Sequence, residues 1–424
     1  MSNRFFDEIN WRGLVHCYTP EIANHSSSEP IRGYIGFDPT APSLHIGNLV
    51  AIMLLVHLQR TGNIPIVLIG GATGMIGDPS GRSEERVLLD WDTVAQNAEN
   101  LKQQLTNFLD FSPGPYCAQM VNNLEWLKPI TLLDFLRDTG KYLTINYMIA
   151  KESVQKRLEA GISFTEFSYQ LIQAYDYYYL HQNLGCNLQM GGGDQWGNIT
   201  AGIELIRKKT GKNVYGLTAP LLTKADGTKF GKSQSGNIWL NSQMTSPYKF
   251  YQYWFNLSDE DVLKFLAIFS LKSQNEIREI LDAQQQDSSQ RIAQKALAEE
   301  LTVRIHGKQA LQKVLEISNI LFGNATAETL QNLTSQEIHD LIEGLPQTSL
   351  PMEQLQKGLP IVDALAYAAG SKSEARRLLQ AGGILVNKQK VNDLQLQLNN
   401  SHLLHQQFIM LQIGKKRHHI LVFS

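Results

Sequence analysis

Two short segments, far apart in the chain, carry residue types suited to binding the phosphates of a nucleotide. The first runs from residue 38 to residue 48 and contains Thr40, His45 and Asn48. The second, Lys229-Phe230-Gly231-Lys232-Ser233, places two ammonium groups in a polar loop that contains glycine. Transfer to a phosphate builds negative charge on the leaving group, and pre-placed donors and cations stabilise that charge. Together, the two segments therefore predict a site for phosphate transfer, although neither of them is a Walker loop.

The first segment lies between a strand-like run, Ile31 to Phe37, and an apolar helix-like run that ends near Arg60. His45 and Asn48 are three positions apart, so we expect them to share a face on the first turn of that helix. Backbone N–H groups at a helix start add to the positive field. Taken alone, however, a histidine at a helix start is more often a cap, and a lysine-containing loop is more often solvated.

Strand-like and helix-like segments alternate through the first half of the chain. The run Ile64–Ile69 ends in two glycines, and Asn187–Met190 ends in three glycines that precede a helix-like stretch from Trp196 to Lys209. Such alternation predicts an α/β fold with a mainly parallel, Rossmann-like sheet. Ligands of these sheets bind at the carboxyl ends of the strands, where both glycine clusters fall.

A polar stripe follows one face of a predicted helix. Tyr169, Gln173 and Asp176 stand at positions i, i+4 and i+7, which aligns them along that face. The stripe is either one wall of a binding site or a solvent face, and spacing alone favours the solvent face. Asp194, in a Gly-rich turn before the next helix, similarly fits either a ligand contact or a helix cap.

The composition places limits on the class of protein. The chain has 424 residues, with 43% hydrophobic and 18% charged residues, which predicts a globular protein of two or three domains. It contains no apolar stretch of membrane-spanning length and no apolar N-terminal secretion segment. The cysteines at 17, 117 and 186 are widely separated, which favours free thiols in a reducing cytoplasm and makes a structural zinc site improbable.

Changes in pattern along the chain predict five segments. We expect a Rossmann-like catalytic domain over 1–220, a linker with the two-lysine loop over 221–246, an all-helical domain over 247–343, a second linker over 344–357, and a small α+β domain over 358–424. From residue 357 onward there are nine Lys or Arg and three Asp or Glu. A basic module on an acidic body suggests an anionic polymer as partner, although ordinary charge scatter is equally compatible.

Together, the two phosphate-binding segments resemble the HIGH and KMSKS motifs of class I aminoacyl-tRNA synthetases. The lead-in Gly36-Phe37-Asp38-Pro39-Thr40 and the later Gly-Gly-Gly-Asp-Gln-Trp run extend the resemblance to bacterial-type tyrosyl-tRNA synthetases, over essentially the whole chain. The second histidine of the family motif is Asn48 here, which keeps a hydrogen-bond donor but not an imidazole. The resemblance implies a Rossmann-like catalytic domain, a helical domain on the anticodon side, and a small RNA-binding domain at the C-terminus.

The same resemblance implies roles for individual residues. Tyr34 and Asp176 match residues that bind the phenol of the substrate, whereas Asp78, Tyr169 and Gln173 match those that bind its ammonium group, and Gln195 falls near its carboxylate. The implied catalytic set is His45, Asn48, Thr40, Lys229, Lys232, Arg82 and Arg86. The implied ATP-binding set is Gly36, Asp38, Gly192, Asp194 and Lys232, and the implied RNA contacts are Lys372, Arg376 and Arg377.

The function implied is that of a tyrosine–tRNA ligase, a cytoplasmic homodimer that uses ATP with Mg²⁺ and binds tyrosine, ATP and tRNA(Tyr). Tryptophan is the nearest rival substrate, because tryptophanyl enzymes share the fold. Two other classes stay open at this point. One is a different adenylyl-transferring enzyme built on the histidine motif, and the other is a non-catalytic RNA-binding relative.

Overall fold

The computed structural model describes residues 3–25, 29–80, 88–151, 154–155, 158, 161–228, 230–233, 236–323, 326–333, 338, 341–342, 345–414 and 417–424 of the 424-residue chain. Its contacts divide the chain into two compact units. The first comprises Met1–Thr245 with Tyr253–Ile305, and the second comprises Ser246–Gln252 with His306–Ser424. This division is one of contacts rather than of function, so the predicted domain boundaries before residue 344 stay predictions.

The first unit contains a five-stranded parallel sheet in the order β3-β2-β1-β4-β5. All six residues of β2 are buried, as expected for a strand that is covered on both faces. This confirms the predicted Rossmann-like α/β fold. The strands are β1 Arg32–Phe37, β2 Ile64–Ile69, β3 Gln119–Asn122, β4 Leu188–Gly192 and β5 Tyr215–Ala219.

The strand order reverses between β1 and β4, and these two strands separate early. β1 pairs with β2 over all six residues, but it pairs with β4 only through Gly33 with Leu188 and Tyr34 with Gln189. Beyond Tyr34 the two strands therefore leave a crevice at their carboxyl ends. A crevice at the reversal point of an open parallel sheet is where ligands of such folds bind.

Helices and short 3₁₀ turns surround this sheet. The helix after β1 is apolar almost throughout, with nine of its twelve residues buried, which fixes it between the sheet and the rest of the unit. The helices with residues in the first unit are Arg4–Trp11, Pro20–Ala23, Leu49–Arg60, Trp91–Leu105, Leu124–Leu127, Leu132–Asp138, Ile145–Ile149, Phe164–Leu184, Trp196–Thr210, Pro247–Phe255, Asp259–Phe269, Gln274–Gln286 and Ile292–His306.

Several predicted elements match the structure closely. The strand predicted at 64–69 is present with the same ends, and the helix predicted over 196–209 ends one residue later, where Gly211 adopts a left-handed conformation that caps it. Within the predicted all-helical stretch, the helix Asp259–Phe269 begins after Ser258, which caps it. These elements follow from local periodicity and capping residues, which is why the sequence alone locates them.

The second unit contains another five-stranded sheet, in the order β11-β10-β13-β14-β8. Its helices are Lys308–Phe322, Ala327–Gln331, Met352–Gln356, Ile361–Ala369 and Lys372–Gln380, together with residues of Pro247–Phe255 and Ile292–His306. The strands are β8 Gln347–Leu350, β10 Ile384–Val386, β11 Gln389–Val391, β13 Phe408–Ile413 and β14 Arg417–Phe423. Shorter strands are β6 Lys232–Ser233 and β7 Gly236–Asn237, which lie in the first unit, and β9 Leu359–Pro360 and β12 Gln397–Leu398.

The predicted linker 344–357 needs correction. Residues 347–350 form β8, which pairs in parallel with β14, and the helix Met352–Gln356 follows. The sheet of the C-terminal module therefore begins before residue 358. The sequence hides this strand because only Leu350 faces the core, while the preceding Gln, Thr and Ser are typical of loops.

Composition led us to expect no membrane-spanning stretch and free cysteine thiols, and the described part of the chain bears on both. No helix there is long and apolar enough to cross a membrane. All three cysteines are free thiols, with Cys186 buried and the other two partly exposed.

Candidate active site

A cavity of about 310 Å³ lies in the crevice between β1 and β4. Its walls come from both strands, from the turns that follow them, and from the helix Phe164–Leu184. The cavity brings together residues that the sequence analysis assigned to two different substrates. The predicted residues that line it are Tyr34, Gly36, Asp38, Thr40, His45, Asn48, Asp78, Tyr169, Gln173, Asp176, Gly192, Asp194 and Gln195.

Two polar groups stand at the buried end of the cavity. The Tyr34 side chain is only 1% exposed, and among the described residues its hydroxyl has no hydrogen-bond partner. The carboxylate of Asp176 is completely buried and accepts hydrogen bonds from Trp126 Nε1 at 2.8 Å and Asn123 Nδ2 at 3.0 Å. An unsatisfied buried hydroxyl costs free energy, so a ligand with a polar group at this end would relieve that cost.

Burial controls the charge of both groups. Loss of solvent raises the pKa of Asp176 from its ordinary 3.8 to about 7, although the bonds from Asn123 and Trp126 act in the opposite direction. The pKa of the Tyr34 phenol is raised well above 10, first by burial and then by the charge of Asp176. Near neutral pH, Tyr34 is therefore a neutral hydroxyl, while Asp176 is close to its titration point.

The helix Phe164–Leu184 supplies one long wall. Ser163 caps its first turn by accepting from the Glu166 N–H, and Gly185 ends it in a left-handed conformation. Tyr169, Gln173 and Asp176 all face the cavity, so the stripe is a wall of the site and not a solvent face.

Hydrogen bonds among the side chains that line the cavity fix the orientation of several of them. Asp78 accepts from Gln195 Nε2 at 2.6 Å, and Gln173 Nε2 donates to Gln195 Oε1 at 3.2 Å. Asn198 Nδ2 donates to Gln173 Oε1 at 3.0 Å. Tyr169 donates its hydroxyl to Asp38 Oδ2 at 2.7 Å. These groups hold one another in place, so acceptor oxygens are preorganised for a cationic ligand.

The first predicted phosphate-binding segment needs a geometric correction. His45 and Asn48 do not lie on the first turn of the long helix. His45 instead caps a 3₁₀ turn, Ile46–Asn48, which precedes the helix Leu49–Arg60. The Gly47 N–H donates to His45 Nδ1 at 3.0 Å, so Nδ1 carries no hydrogen and Nε2 is the donor of the ring.

The side chain of Asn48 is oriented by the same turn. Its Oδ1 accepts from the His45 N–H at 3.0 Å, which leaves its amide hydrogens as the remaining donors. Thr40 also lines this open end of the cavity. The glycine at 36 leaves space there, because a Cβ at that position would meet only Leu68, at 3.6 Å. Backbone and ligand can therefore approach closely at Gly36.

Among the described residues, four carboxyl groups line the cavity, at Asp38, Asp78, Asp176 and Asp194. The pKa of Asp194 is raised, mainly by burial and secondarily by the charge of Asp78. This arrangement suits an ammonium group and hydroxyl groups, but it repels a triphosphate. Phosphates would therefore need cations supplied from outside this set.

The predicted cations fall mostly outside the described residues. Arg82, Arg86 and Lys229 lie there, so their predicted contacts stay predictions. Lys232 belongs to the short strand β6, which pairs with β7 in a hairpin. The chain that follows this hairpin joins the His45 segment, since the Ile46 N–H donates to Ile238 O at 3.0 Å.

The predicted RNA contacts lie on the exposed side of the helix Lys372–Gln380, whose buried residues are Ala375 and Leu379. Lys372 contacts Asp363 at 2.8 Å, and Arg377 makes two bonds to Glu374. These exposed ion pairs are individually weak and can exchange for other anions.

Sequence reasoning missed several residues that shape the cavity. Asn123 and Trp126 hold Asp176, while Asn198 holds Gln173. Gln189 also lines the cavity, from the second position of β4. Asn123 could have been identified from its position in the sequence, because it follows the carboxyl end of β3, at the edge of the sheet where ligands bind.

Comparisons with known proteins agree with this geometry. Residues 26–323 match the family model described as tRNA synthetases class I (W and Y), and residues 337–421 match the C-terminal domain described as tyrosine–tRNA ligase SYY-like. The fold and the site thus define a class I tRNA synthetase.

Individual relatives identify the family within this class. The chain is 49% identical to a tyrosine–tRNA ligase from Amoebophilus asiaticus over 425 residues and 50% identical to one from Porphyromonas gingivalis over 426 residues, with 99% of both chains covered in each case. A solved structure of a C-terminally truncated mitochondrial tyrosyl-tRNA synthetase from Aspergillus nidulans is 32% identical, with a TM-score of 0.68, and the match covers 76% of this chain and 94% of that one. The chain belongs to the tyrosine–tRNA ligase family of class I tRNA synthetases.

Proposed function

We propose that this protein activates L-tyrosine with ATP, giving tyrosyl-adenylate and pyrophosphate, and then transfers the tyrosyl group to the 3′-terminal adenosine of tRNA(Tyr). One observation carries this proposal. The unsatisfied hydroxyl of Tyr34 and the buried Asp176 line the same cavity as the partly exposed His45. Such a site has a phenol-binding end and a phosphate-binding end in one continuous space.

The closed end would bind the substrate phenol. The phenol donates its hydrogen to the ionised Asp176 and accepts a hydrogen bond from Tyr34, so all three groups are paired. Phenylalanine would leave the Tyr34 hydroxyl unpaired and would offer the buried Asp176 no donor beyond Asn123 and Trp126. A site built for a hydroxyl rejects the analogue that lacks it by about 10⁴- to 10⁵-fold, so discrimination needs no editing site.

The middle of the cavity would bind the amino-acid backbone. Asp78, Tyr169 and Gln173 present oxygens at which the α-ammonium group can donate, and the neighbouring Asp38 adds negative charge. Gln195 would lie beside the substrate carboxylate. The hydrogen bonds among these side chains fix their orientation before the substrate arrives, which lowers the entropic cost of binding.

Activation would proceed by in-line attack of the tyrosine carboxylate on the α-phosphate of ATP. The bond from the carboxylate oxygen to phosphorus forms while the bond to pyrophosphate breaks, so no side chain becomes a nucleophile. The His45 Nε2–H, the Asn48 amide and the Thr40 hydroxyl donate to phosphate oxygens, and Lys229, Lys232, Arg82 and Arg86 supply positive charge that the described lining of the cavity lacks. ATP would arrive as its Mg²⁺ complex, because Mg²⁺ usually binds through substrate phosphates and water.

The nucleoside part of ATP would lie over the glycine turns after β1 and β4. Gly36 and Gly192 allow close approach of the backbone, and Asp194 would accept from a ribose hydroxyl. The raised pKa of Asp194 fits this role, because a buried carboxyl group gains a donor when the ribose binds.

The C-terminal module would contact tRNA through Lys372, Arg376 and Arg377. All three side chains are exposed on one short helix, as phosphate contacts require. The enzyme would act in the cytoplasm, where tRNA is charged and where free thiols persist.

We also propose that the protein is a homodimer. The helix Leu132–Asp138 buries none of its residues, and Leu133 and Phe164 are 78% and 76% exposed. Leu132 and Ile145, in the same stretch of chain, are also more than half exposed. Large exposed apolar side chains in one region are typical of protein interfaces, and a second copy of this chain would cover them.

Tyrosine-dependent exchange of pyrophosphate into ATP tests the activation step. The pure protein should catalyse exchange with tyrosine and should not do so with phenylalanine or tryptophan at equal concentration. His45→Ala should reduce the exchange rate at least 100-fold while changing tyrosine affinity less than about threefold, because one lost transition-state donor costs roughly 10²- to 10³-fold. Tyrosine-independent exchange would point to a different adenylyl transferase, and no exchange at all would contradict the proposal.

A further inference from the structure

Phe230, the residue between the first lysine of the two-lysine loop and its glycine, is buried although its neighbours in sequence are polar. Its side chain is 9% exposed, and its ring is enclosed by an aromatic cage. The ring stacks on Phe269 with centroids 5.3 Å apart, and it contacts Phe265 and Trp254 at 4.8 Å and 5.8 Å. The ring of Tyr253 completes the cage at 6.3 Å. One position of the loop is therefore firmly fixed.

Gly231 then brings the chain directly against the His45 turn. Its φ is +94°, and a Cβ at this position would lie 3.2 Å from the Gly47 backbone nitrogen. Its N–H donates to Tyr253 Oη at 3.4 Å. Glycine is required here for its conformation and for its lack of a side chain. The two motifs thus meet backbone to backbone immediately before Lys232.

The returning strand of the loop is fixed to the same turn. The Ile238 N–H donates to Gly231 O at 3.3 Å and closes the base of the loop. The Ile46 N–H donates to Ile238 O at 3.0 Å, and the Leu240 N–H donates to Leu44 O at 2.8 Å. The segment that contains His45 is therefore bonded to the base of the two-lysine loop.

We propose that Phe230 is a positioning residue for the adenylation step. By filling the aromatic cage, it fixes the base of the loop against the His45 turn and so sets the backbone position from which Lys232 extends. This inference rests on the proposed function. A lysine has a long flexible stem, so its ammonium group meets a leaving group reliably only when the backbone beneath it is fixed. Displacement of a reacting or stabilising group by about 1 Å can cost roughly 100-fold in rate.

Phe230→Leu is the variant that tests this role. Leucine keeps an apolar side chain in the cage but cannot stack on Phe269, so the loop base loses its fixed position. We expect kcat of tyrosine-dependent exchange to fall by roughly 10- to 100-fold, with the Kd for tyrosine within about twofold of the parent value. Phe5→Leu is the matched control, because Phe5 is completely buried in the first helix, outside the cage and the cavity. It should leave kcat unchanged.

A double-mutant cycle with Lys232→Ala separates positioning from general damage. If Phe230 acts through the lysine, then Phe230→Leu should lower kcat in the parent but have little further effect when Lys232 is already alanine. The inference would be overturned if the two substitutions lowered kcat by independent factors that multiply in the double mutant. It would equally be overturned by an unchanged kcat in folded Phe230→Leu, or by a parallel loss of tyrosine affinity. Absence of exchange in the parent protein would instead count against the proposed function itself, so the two failures are distinguishable.

Discussion

The affinity of the protein for tyrosine should depend on pH through Asp176. This carboxyl group is completely buried, and burial raises its pKa from 3.8 to about 7. Acidification through this range therefore adds a proton to Asp176 in the free protein. The protonated group can no longer accept the phenol hydrogen with a full negative charge, so binding should weaken.

The size of the effect follows from linkage. If tyrosine binds only the ionised form, its affinity is nearly constant above pH 7 and falls about tenfold for each pH unit well below 7. With a pKa of about 7 in the free protein and binding to the ionised form only, affinity at about pH 5.5 should be roughly 30-fold lower than at about pH 8. Binding at low pH should also release close to one proton.

Equilibrium dialysis with labelled tyrosine, without ATP, measures this dependence directly. Calorimetry in two buffers of different ionisation enthalpy then counts the released proton. Asp176→Asn should bind tyrosine weakly, and its affinity should not depend on pH in this range. Tyr34→Phe is the matched control, since it removes one hydroxyl from the same end of the cavity and leaves Asp176 in place. Tyr34→Phe should weaken tyrosine binding but keep the dependence of affinity on pH. A flat profile in the parent protein, or an equal slope in Asp176→Asn, would refute the reasoning.

Three further predictions concern stability and the C-terminal module. His57 is fully buried, and burial is the main cause that lowers its pKa from 6.5 to about 2, so it stays neutral in the fold and costs stability as pH falls below 6.5. Between pH 6 and pH 5, the free energy of unfolding in urea should therefore fall by about 1.2 kcal/mol less in His57→Leu than in the parent. Arg12 donates to three backbone carbonyls in and just beyond the last turn of the helix Asp259–Phe269, so Arg12→Met should destabilise by about 3 kcal/mol, whereas the exposed Arg60→Met should cost under about 0.5 kcal/mol in the same denaturation assay. Deleting residues 346–424 removes the whole C-terminal sheet, including β8, and should spare exchange while reducing tRNA charging at least tenfold; unchanged charging would remove the RNA role from this module.

The sequence alone located much of the catalytic core, because the relevant signals are local. Hydrophobic runs that end in glycines predicted β2 and β4 and the edge of the sheet where the cavity lies. The spacing of Tyr169, Gln173 and Asp176 predicted a shared helix face, since seven residues complete almost two turns. Resemblance to a known family then gave these positions roles, which spacing could not.

Local signals were less reliable at boundaries and turns. His45 and Asn48 were expected on the helix itself, but they form a 3₁₀ turn before it, because the His45 side chain satisfies the Gly47 N–H at that point. β8 was expected to be part of a linker because Pro346 and Pro351 flank it. Only its pairing with β14, about 70 residues later, makes it a strand.

The tertiary structure decided which groups meet and with what charge. Asn123 and Trp126 hold Asp176 from about 50 residues away, and burial among distant segments moves its pKa to about 7. Likewise, Phe230 looks like an ordinary loop residue until helix Asp259–Phe269 encloses it. Periodicity reports only the faces of single elements, whereas hydrogen-bond partners, desolvation and close backbone contacts depend on which elements the fold brings together.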